Sequence, residues 1–275
     1  MKKIDHETLQ KNLSQMLFLF DNYCQKHDIK VILAGGTLLG AIRHKGFIPW
    51  DDDIDVVVMK DEFEKLIEIA KVNPYIDDEK RYKILAPGEF PNVYPYIKLI
   101  DTKSIAYEKD IDKKYLTGLW LDVFMFSYWP DSIEESEKLY KKQQWLKNMN
   151  KIYIVGNVKT KKYKPFAILA LPIKGILKLF GLDSAYWNKK RLAMCCQEKT
   201  NYIGNVVTNI GLKDRYPLEY YKTFIKAEFD GKEYYIPEQY DKILTHFYGD
   251  YMTLPKEEDR VIHDFEAYYL EELTI

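Results

Sequence analysis

Residues 34–58 read AGGTLLGAIRHKGFIPWDDDIDVVV, and their order decides the fold. The stretch just before them, 31–34 (VILA), has the composition of a buried strand. Gly35 and Gly36 break that strand, and 37–42 (TLLGAI) reads as a short helix whose N-terminus faces the glycines. After a loop holding Pro49 and Trp50, a run of carboxylates enters a second apolar strand, 54–59. Strand side chains alternate faces. Asp53 and Asp55 are therefore expected to point the same way, while Ile54, Val56, Val57 and Val58 supply core. Two carboxylates on one face at a strand end can hold divalent metal through oxygen. A Gly-Gly turn lets backbone N–H groups approach a phosphate closely. Metal site and phosphate cradle together are the equipment of phosphoryl or nucleotidyl transfer.

Residues 119–126 (LWLDVFMF) carry a single acid in an otherwise apolar strand. A charge there is costly unless paired or metal-bound, so Asp122 is expected to have a partner or a metal. Asp51 and Asp52 read as braces of the loop, with Asp51 reaching the metal side if the strand starts early. Arg43, His44 and Lys45 lie between the glycines and the acids, where cations suit phosphate; the alternative is a solvated loop. Lys98, alone in YPYIKLI, either reaches the active-site face or snorkels at an edge. His246 and His263 read as core or surface residues rather than ligands.

This layout resembles the nucleotidyltransferase superfamily related to DNA polymerase beta. More narrowly, residues 35–58 resemble the signature of the LicD family, which includes bacterial phosphocholine transferases; animal relatives in the fukutin group carry a similar core. Residues 96–100 (YIKLI), 119–124 (LWLDVF) and 235–255 (YIPEQYDKILTHFYGDYMTLP) resemble later family segments, while 130–200 match nothing specific. The resemblance implies an α/β (α+β) fold: a nucleotidyltransferase-like mixed-sheet core with a largely helical C-terminal part. The core would occupy 1–130 and a family-specific, acceptor-binding region 131–275, with a soft boundary.

It also implies chemistry. Mg²⁺ or Mn²⁺ would be held by Asp53, Asp55 and Asp122, and phosphate oxygens by Gly35, Gly36 and Thr37. The donor would be CDP-choline. An acceptor hydroxyl on a glycan or glycolipid (teichoic acid, lipopolysaccharide or capsule) would attack, oriented or deprotonated by Asp122, and CMP would leave. The same equipment serves transfer of ribitol phosphate or glycerol phosphate from a CDP-polyol, or a plain nucleotidyltransferase. A non-catalytic scaffold would be marked by loss of a metal carboxylate, and none is lost. Choline invites an aromatic cage, for which Trp50 and Trp120 adjoin the metal residues.

Composition agrees with an enzyme. A chain of 275 residues can bury one large core, or a core plus a helical subdomain. Its 47% apolar and 30% charged content is ordinary for a globular protein. A formal net charge of −1 argues against a nucleic-acid partner. Cys24, Cys195 and Cys196 form neither a disulfide framework nor a zinc spacing, so a cytoplasmic setting is expected. No secretion signal is visible; Leu9, Leu13, Met16, Leu17 and Phe20 instead give an amphipathic helix over 5–26.

The most hydrophobic segment, 165–182, is interrupted by Pro172, Lys174 and Lys178 and is too broken to span a bilayer. Lys159, Lys161, Lys162 and Lys164 precede it. It either lies in a membrane interface, at the inner face of the cytoplasmic membrane, or forms a buried helical hairpin. Further helices are expected over 61–71, with Phe63, Leu66, Ile67 and Ala70 inward, and over 131–150, 184–200 and 239–247. A hairpin over 226–236 turns on Asp230-Gly231.

Overall fold

The apolar periodicity of the N-terminal segment becomes helix α1 (His6–Lys26), which buries Leu9, Leu13, Met16, Leu17, Phe20 and Cys24. The Asp5 carboxylate caps it by accepting the Thr8 N–H at 2.8 Å. Full burial of each large apolar side chain contributes roughly 1.5–3 kcal/mol, so this face fixes the helix on the core. The computed structural model describes residues 1–108, 111–154, 175, 177, 179–196, 198–207, 210–260 and 265–270.

Twelve strands are present among the described residues. They are β1 (Lys2–Lys3), β2 (Ile32–Leu33), β3 (Asp55–Met59), β4 (Tyr82–Leu85), β5 (Ile97–Asp101) and β6 (Ser104–Glu108), followed by β7 (Trp120–Trp129), β8 (Tyr202–Gly204), β9 (Tyr216–Pro217), β10 (Phe224–Phe229), β11 (Lys232–Pro237) and β12 (Phe265–Tyr269). The main sheet runs β10-β11-β2-β3-β7-β5-β4. The far end of β7 pairs with β8, and β8 with β9. A smaller sheet is ordered β1-β12-β6. The main sheet is mixed: β3 runs parallel to β7 and β11 parallel to β2, while β2 and β5 are antiparallel to their neighbours β3 and β7. Its central strands are hydrophobic on both faces, with Val56, Val57, Val58, Leu121 and Val123 all buried.

Helix α2 (Gly35–His44) starts at the first glycine, two residues before the expected 37, and ends with Lys45 in a left-handed cap. Helix α3 (Lys60–Val72) buries Phe63, Leu66 and Ala70 and leaves Ile67 half-buried. Helices α4 (Ile133–Ile154) and α5 (Ser184–Leu192) pack together around Leu146, Tyr153 and Trp187. Helix α5 stops well short of the expected 200. The β10–β11 hairpin turns through Asp230 and Gly231 at φ 49° and 74°, and helix α6 (Tyr240–Tyr248) follows it.

The expected largely helical C-terminal part needs correction. It describes α4 and α5, but beyond residue 200 the described residues hold β8 to β12 with the single α-helix α6. The alternating segments FIKAEF and KEYYIP pair with each other, and Tyr235 then aligns beside Ile32, so the late chain returns to the core sheet. Of 165–182, only Gly175, Leu177 and 179–182 are described; the rest of the segment, the lysines 159–164 and His263 lie outside the described residues. Among the described residues, no helix is long and apolar enough to cross a membrane.

Candidate active site

The parallel pairing of β3 with β7 places Asp55 directly opposite Asp122. On the other side of β7, Lys98 of β5 is opposite Asp122. Neighbours at one register position share a face of the sheet, so Asp55, Asp122 and Lys98 form a row across three strands. The Asp122 N–H donates to the Ile54 carbonyl at 3.0 Å, closing the junction just ahead of β3.

The glycines serve this row. Gly35 adopts φ +52°, and a Cβ there would lie 3.2 Å from Asp55 Oδ2. A Cβ on Gly36 would lie 2.9 Å from Asp51 Oδ2. The start of α2 thus faces two carboxylates, and its first N–H groups lack intrahelical acceptors. Thr37, buried, accepts the Asp55 N–H on its hydroxyl at 2.9 Å and so fixes the strand entry.

Strand β3 begins only at Asp55, so Asp53 belongs to the preceding loop rather than to the strand expected to align it with Asp55. Its charge nevertheless acts on both Asp55 and Asp122. One carboxylate oxygen each from Asp51, Asp52 and Asp53 lies within 4.8 Å of the others. Asp51 is held by backbone bonds: its N–H donates to the Ile48 carbonyl and its carbonyl accepts from Gln10.

Burial pushes the Asp55 carboxyl well above the usual carboxylate range, and the charges of Asp53, Asp122, Asp51 and Asp214 add to that. Burial likewise raises Asp122 to about 7, with Glu108 and Asp53 pushing it up against the opposing Lys98 ammonium. Asp122 Oδ2 accepts from the Trp120 indole N–H at 3.3 Å, while Oδ1 is buried without a hydrogen-bond partner. Two unit charges ~4 Å apart at an effective dielectric of about 20 repel by about 4 kcal/mol. Asp51, Asp52 and Asp53, with carboxylate oxygens within 4.8 Å of one another, gain from a cation between them. Hard carboxylate oxygens, one of them orphaned, fit a divalent ion such as Mg²⁺ or Mn²⁺.

Lys98 is 1% exposed and does not snorkel. Its ammonium bonds Glu108 at 3.2 Å and sits over the rings of Trp120 (3.8 Å) and Tyr94 (4.4 Å). Arg43 donates to the Tyr251 carbonyl at 2.7 Å and to His44 Nε2 at 2.9 Å. Burial lowers the pKa of both Arg43 and His44. His44 and Lys45 line a cavity of about 520 Å³ together with Gln10, Lys11 and Lys232. None of the five carboxylates lines it, and Lys45 pairs with Glu228 at 3.6 Å.

A second cavity, of about 110 Å³, does reach the acids. Asp55 and Gly35 form part of its wall, with Phe124 and Phe126 from β7 and Tyr216, Tyr221 and Tyr248 from the late chain. Asp214, from the short 3₁₀ turn Gly211–Asp214, also lines it. Sequence reasoning missed Asp214: flanked by Lys213 and Arg215 it reads as solvated charge. Burial raises its carboxyl to about 7, opposed by the Ile210 N–H. The Tyr248 phenol is pushed upward by burial and then by Asp55, Asp51, Asp53 and Asp214, which marks its place among them. His246 is exposed and packs edge-on against Tyr216.

The mixed sheet thus brings acids together at a glycine-led helix start. Residues 28–167 match the family model described as LicD/FKTN/FKRP, nucleotidyltransferase domain. The chain is 30% identical over 281 aligned residues, 98% of its length and all of the relative's, to the lipopolysaccharide cholinephosphotransferase LicD of Haemophilus influenzae (strain ATCC 51907 / DSM 11121 / KW20 / Rd). An uncharacterized protein of Rickettsia prowazekii (strain Madrid E) is 51% identical over 37 residues, 14% of each chain. The chain belongs to the LicD family and is an enzyme, a phosphotransferase of the LicD type.

Proposed function

We propose that this protein transfers phosphocholine from CDP-choline to a hydroxyl of a cell-surface glycan precursor and releases CMP. One observation carries the reading. Asp53, Asp55 and Asp122 act on one another beside the α2 N-terminus, in a chain similar from end to end to a relative named for cholinephosphate transfer to lipopolysaccharide.

Asp53, Asp55 and Asp122 would hold Mg²⁺ or Mn²⁺, with Asp51 and Asp52 beside them. That ion would supply the positive charge a diphosphate needs to be approached by a nucleophile. The N–H groups of the first α2 turn, at Gly35, Gly36 and Thr37, would hold phosphate oxygens. Thr37 keeps Asp55 in place through its backbone. Asp122 would also orient or deprotonate the acceptor hydroxyl. Lys98 supports that role by holding positive charge beside it, itself anchored by Glu108. Arg43 ties α2 to the late chain near Tyr248 and offers a cation at the edge of the site.

The test is CMP release by purified protein from CDP-choline, CDP-ribitol and CDP-glycerol in parallel, with Mg²⁺ or Mn²⁺ and a glycolipid extract as acceptor. The expected result is release from CDP-choline alone, abolished by chelation and by Asp53→Asn with Asp55→Asn. Release from a polyol conjugate instead would replace phosphocholine with a polyol phosphate. Incorporation of nucleotide from CTP with pyrophosphate release would make the enzyme a nucleotidyltransferase.

A further inference from the structure

We propose that the 110 Å³ cavity beside Asp55 is the subsite for the quaternary ammonium head of the donor, with Asp214 as its counter-ion and Phe124, Phe126, Tyr216, Tyr221 and Tyr248 as its aromatic wall. The inference rests on the phosphocholine reading above.

Four observations meet here. The first is an acid with one orphaned oxygen. Asp214 is 7% exposed, and its Oδ2 is buried without a hydrogen-bond partner. The neighbouring cations are turned elsewhere: Lys213 is exposed, and Arg215 lies 3.3 Å over the Tyr202 ring and donates to the Pro130 and Asp131 carbonyls. Among the described residues no cation pairs with this carboxylate, and a ligand can supply one.

The second is the wall. The rings of Phe126, Tyr216 and Tyr221 pack on one another, with Phe126 and Tyr221 centroids 5.0 Å apart and Tyr216 and Tyr221 5.7 Å apart. Aromatic faces attract a quaternary ammonium, which cannot donate the hydrogen bonds that an ordinary cation site supplies. A neutral polyol would leave the Asp214 charge uncompensated.

The third is size. An engineered apolar cavity of ~150 Å³ takes benzene. A volume of about 110 Å³ suits the smaller trimethylammonium group.

The fourth is position. Asp55 and Gly35 belong to the same wall, so the cavity opens onto the phosphate cradle. Four bonds separate choline nitrogen from phosphorus, a span of roughly 5 Å. The head can thus fill the cavity while its phosphorus stays at the acids. The two tryptophans suggested by sequence are less available, because each already carries a cation of the protein: Arg260 lies 4.3 Å over Trp50 and Lys98 3.8 Å over Trp120. Gly204 keeps the subsite assembled, since a Cβ there would lie 1.6 Å from the Asp214 carbonyl oxygen.

The experiment compares equilibrium binding of CDP-choline, of its uncharged isostere CDP-3,3-dimethylbutanol, of CDP-glycerol and of CDP, to the wild type, Asp214→Asn and Tyr248→Leu. The wild type should prefer CDP-choline to the isostere by about tenfold. Asp214→Asn should bring that ratio close to one, and Tyr248→Leu should reduce it severalfold. Affinity for CDP should stay within about twofold in both, which also reports that the variants are folded. A preference unchanged in both variants overturns the subsite and leaves phosphocholine transfer standing. A wild type that binds CDP yet does not discriminate charge overturns the subsite as well. A wild type that binds CDP-glycerol in preference to CDP-choline overturns both readings.

Discussion

Gly35 holds a left-handed backbone with Asp55 3.2 Å from where a side chain would begin. Gly35→Ala should cost about 1–2 kcal/mol for the backbone alone and shift the Asp55 carboxylate. Urea unfolding should register the first effect and a greater than tenfold loss of CMP release the second. Thr37 is a comparable case. Removing its hydroxyl leaves the Asp55 N–H without a partner, so Thr37→Val should cost about 1–3 kcal/mol in urea while Thr37→Ser stays near wild type.

Asp122 gives the pH dependence. Its carboxyl ordinarily titrates near 3.8 and is raised to about 7 in the fold, so the folded state favours its protonated form. The resulting cost is absent at low pH, grows as pH rises from about 4, and is complete above about 7. Holding the carboxyl at about 7 rather than near 3.8 is equivalent to about 4 kcal/mol. In chelator, Asp122→Asn should therefore melt above wild type at pH 8, with the advantage shrinking toward pH 4. Equal melting temperatures across that range would remove Asp122 as the titrating group. Activity should fall in the same variant, since the site keeps this acid at the expense of stability.

At the scale of elements, the informative contact joins two sheets. Lys98 of β5 reaches Glu108 of β6, and both lie close enough to Asp122 to shift it in opposite directions. Breaking a buried pair from one side typically costs about 3–5 kcal/mol. Lys98→Met should fall in that range by urea unfolding, and the double variant with Glu108→Gln should recover part of it. Additive losses would mean that the two side chains act separately. Much of this scale was legible beforehand. The amphipathic face of α1, the acid-led strand β3, the inward face of α3 and the Asp230-Gly231 hairpin all follow from local periodicity and turn chemistry. The boundaries of α2 were not legible: Gly35 and Gly36 read as a break, yet both form the helix start because Asp55 and Asp51 fill the space their side chains would take.

At the scale of the molecule, the late chain completes the early one. Strand β11 aligns with β2, and β12 fills the middle of the second sheet between β1 and β6. Phe265 of β12 packs on Trp120, whose indole holds Asp122. Ending the chain at residue 264 should therefore lower the melting temperature by several degrees and loosen Asp122. A truncated chain with unchanged melting and unchanged activity would show that β12 is dispensable.

The sequence by itself determined the order of parts around Asp53 and Asp55, and the family. Those features sit in short segments, where spacing dictates which side chains share a face. Only the tertiary structure decided that Lys98 is buried against Glu108, that Trp50 and Trp120 are already covered, and that Asp214 and Tyr248 stand beside Asp55. The physical reason is that these contacts join segments far apart in the chain. No local pattern encodes such pairing; it emerges when the apolar faces of distant strands are buried together.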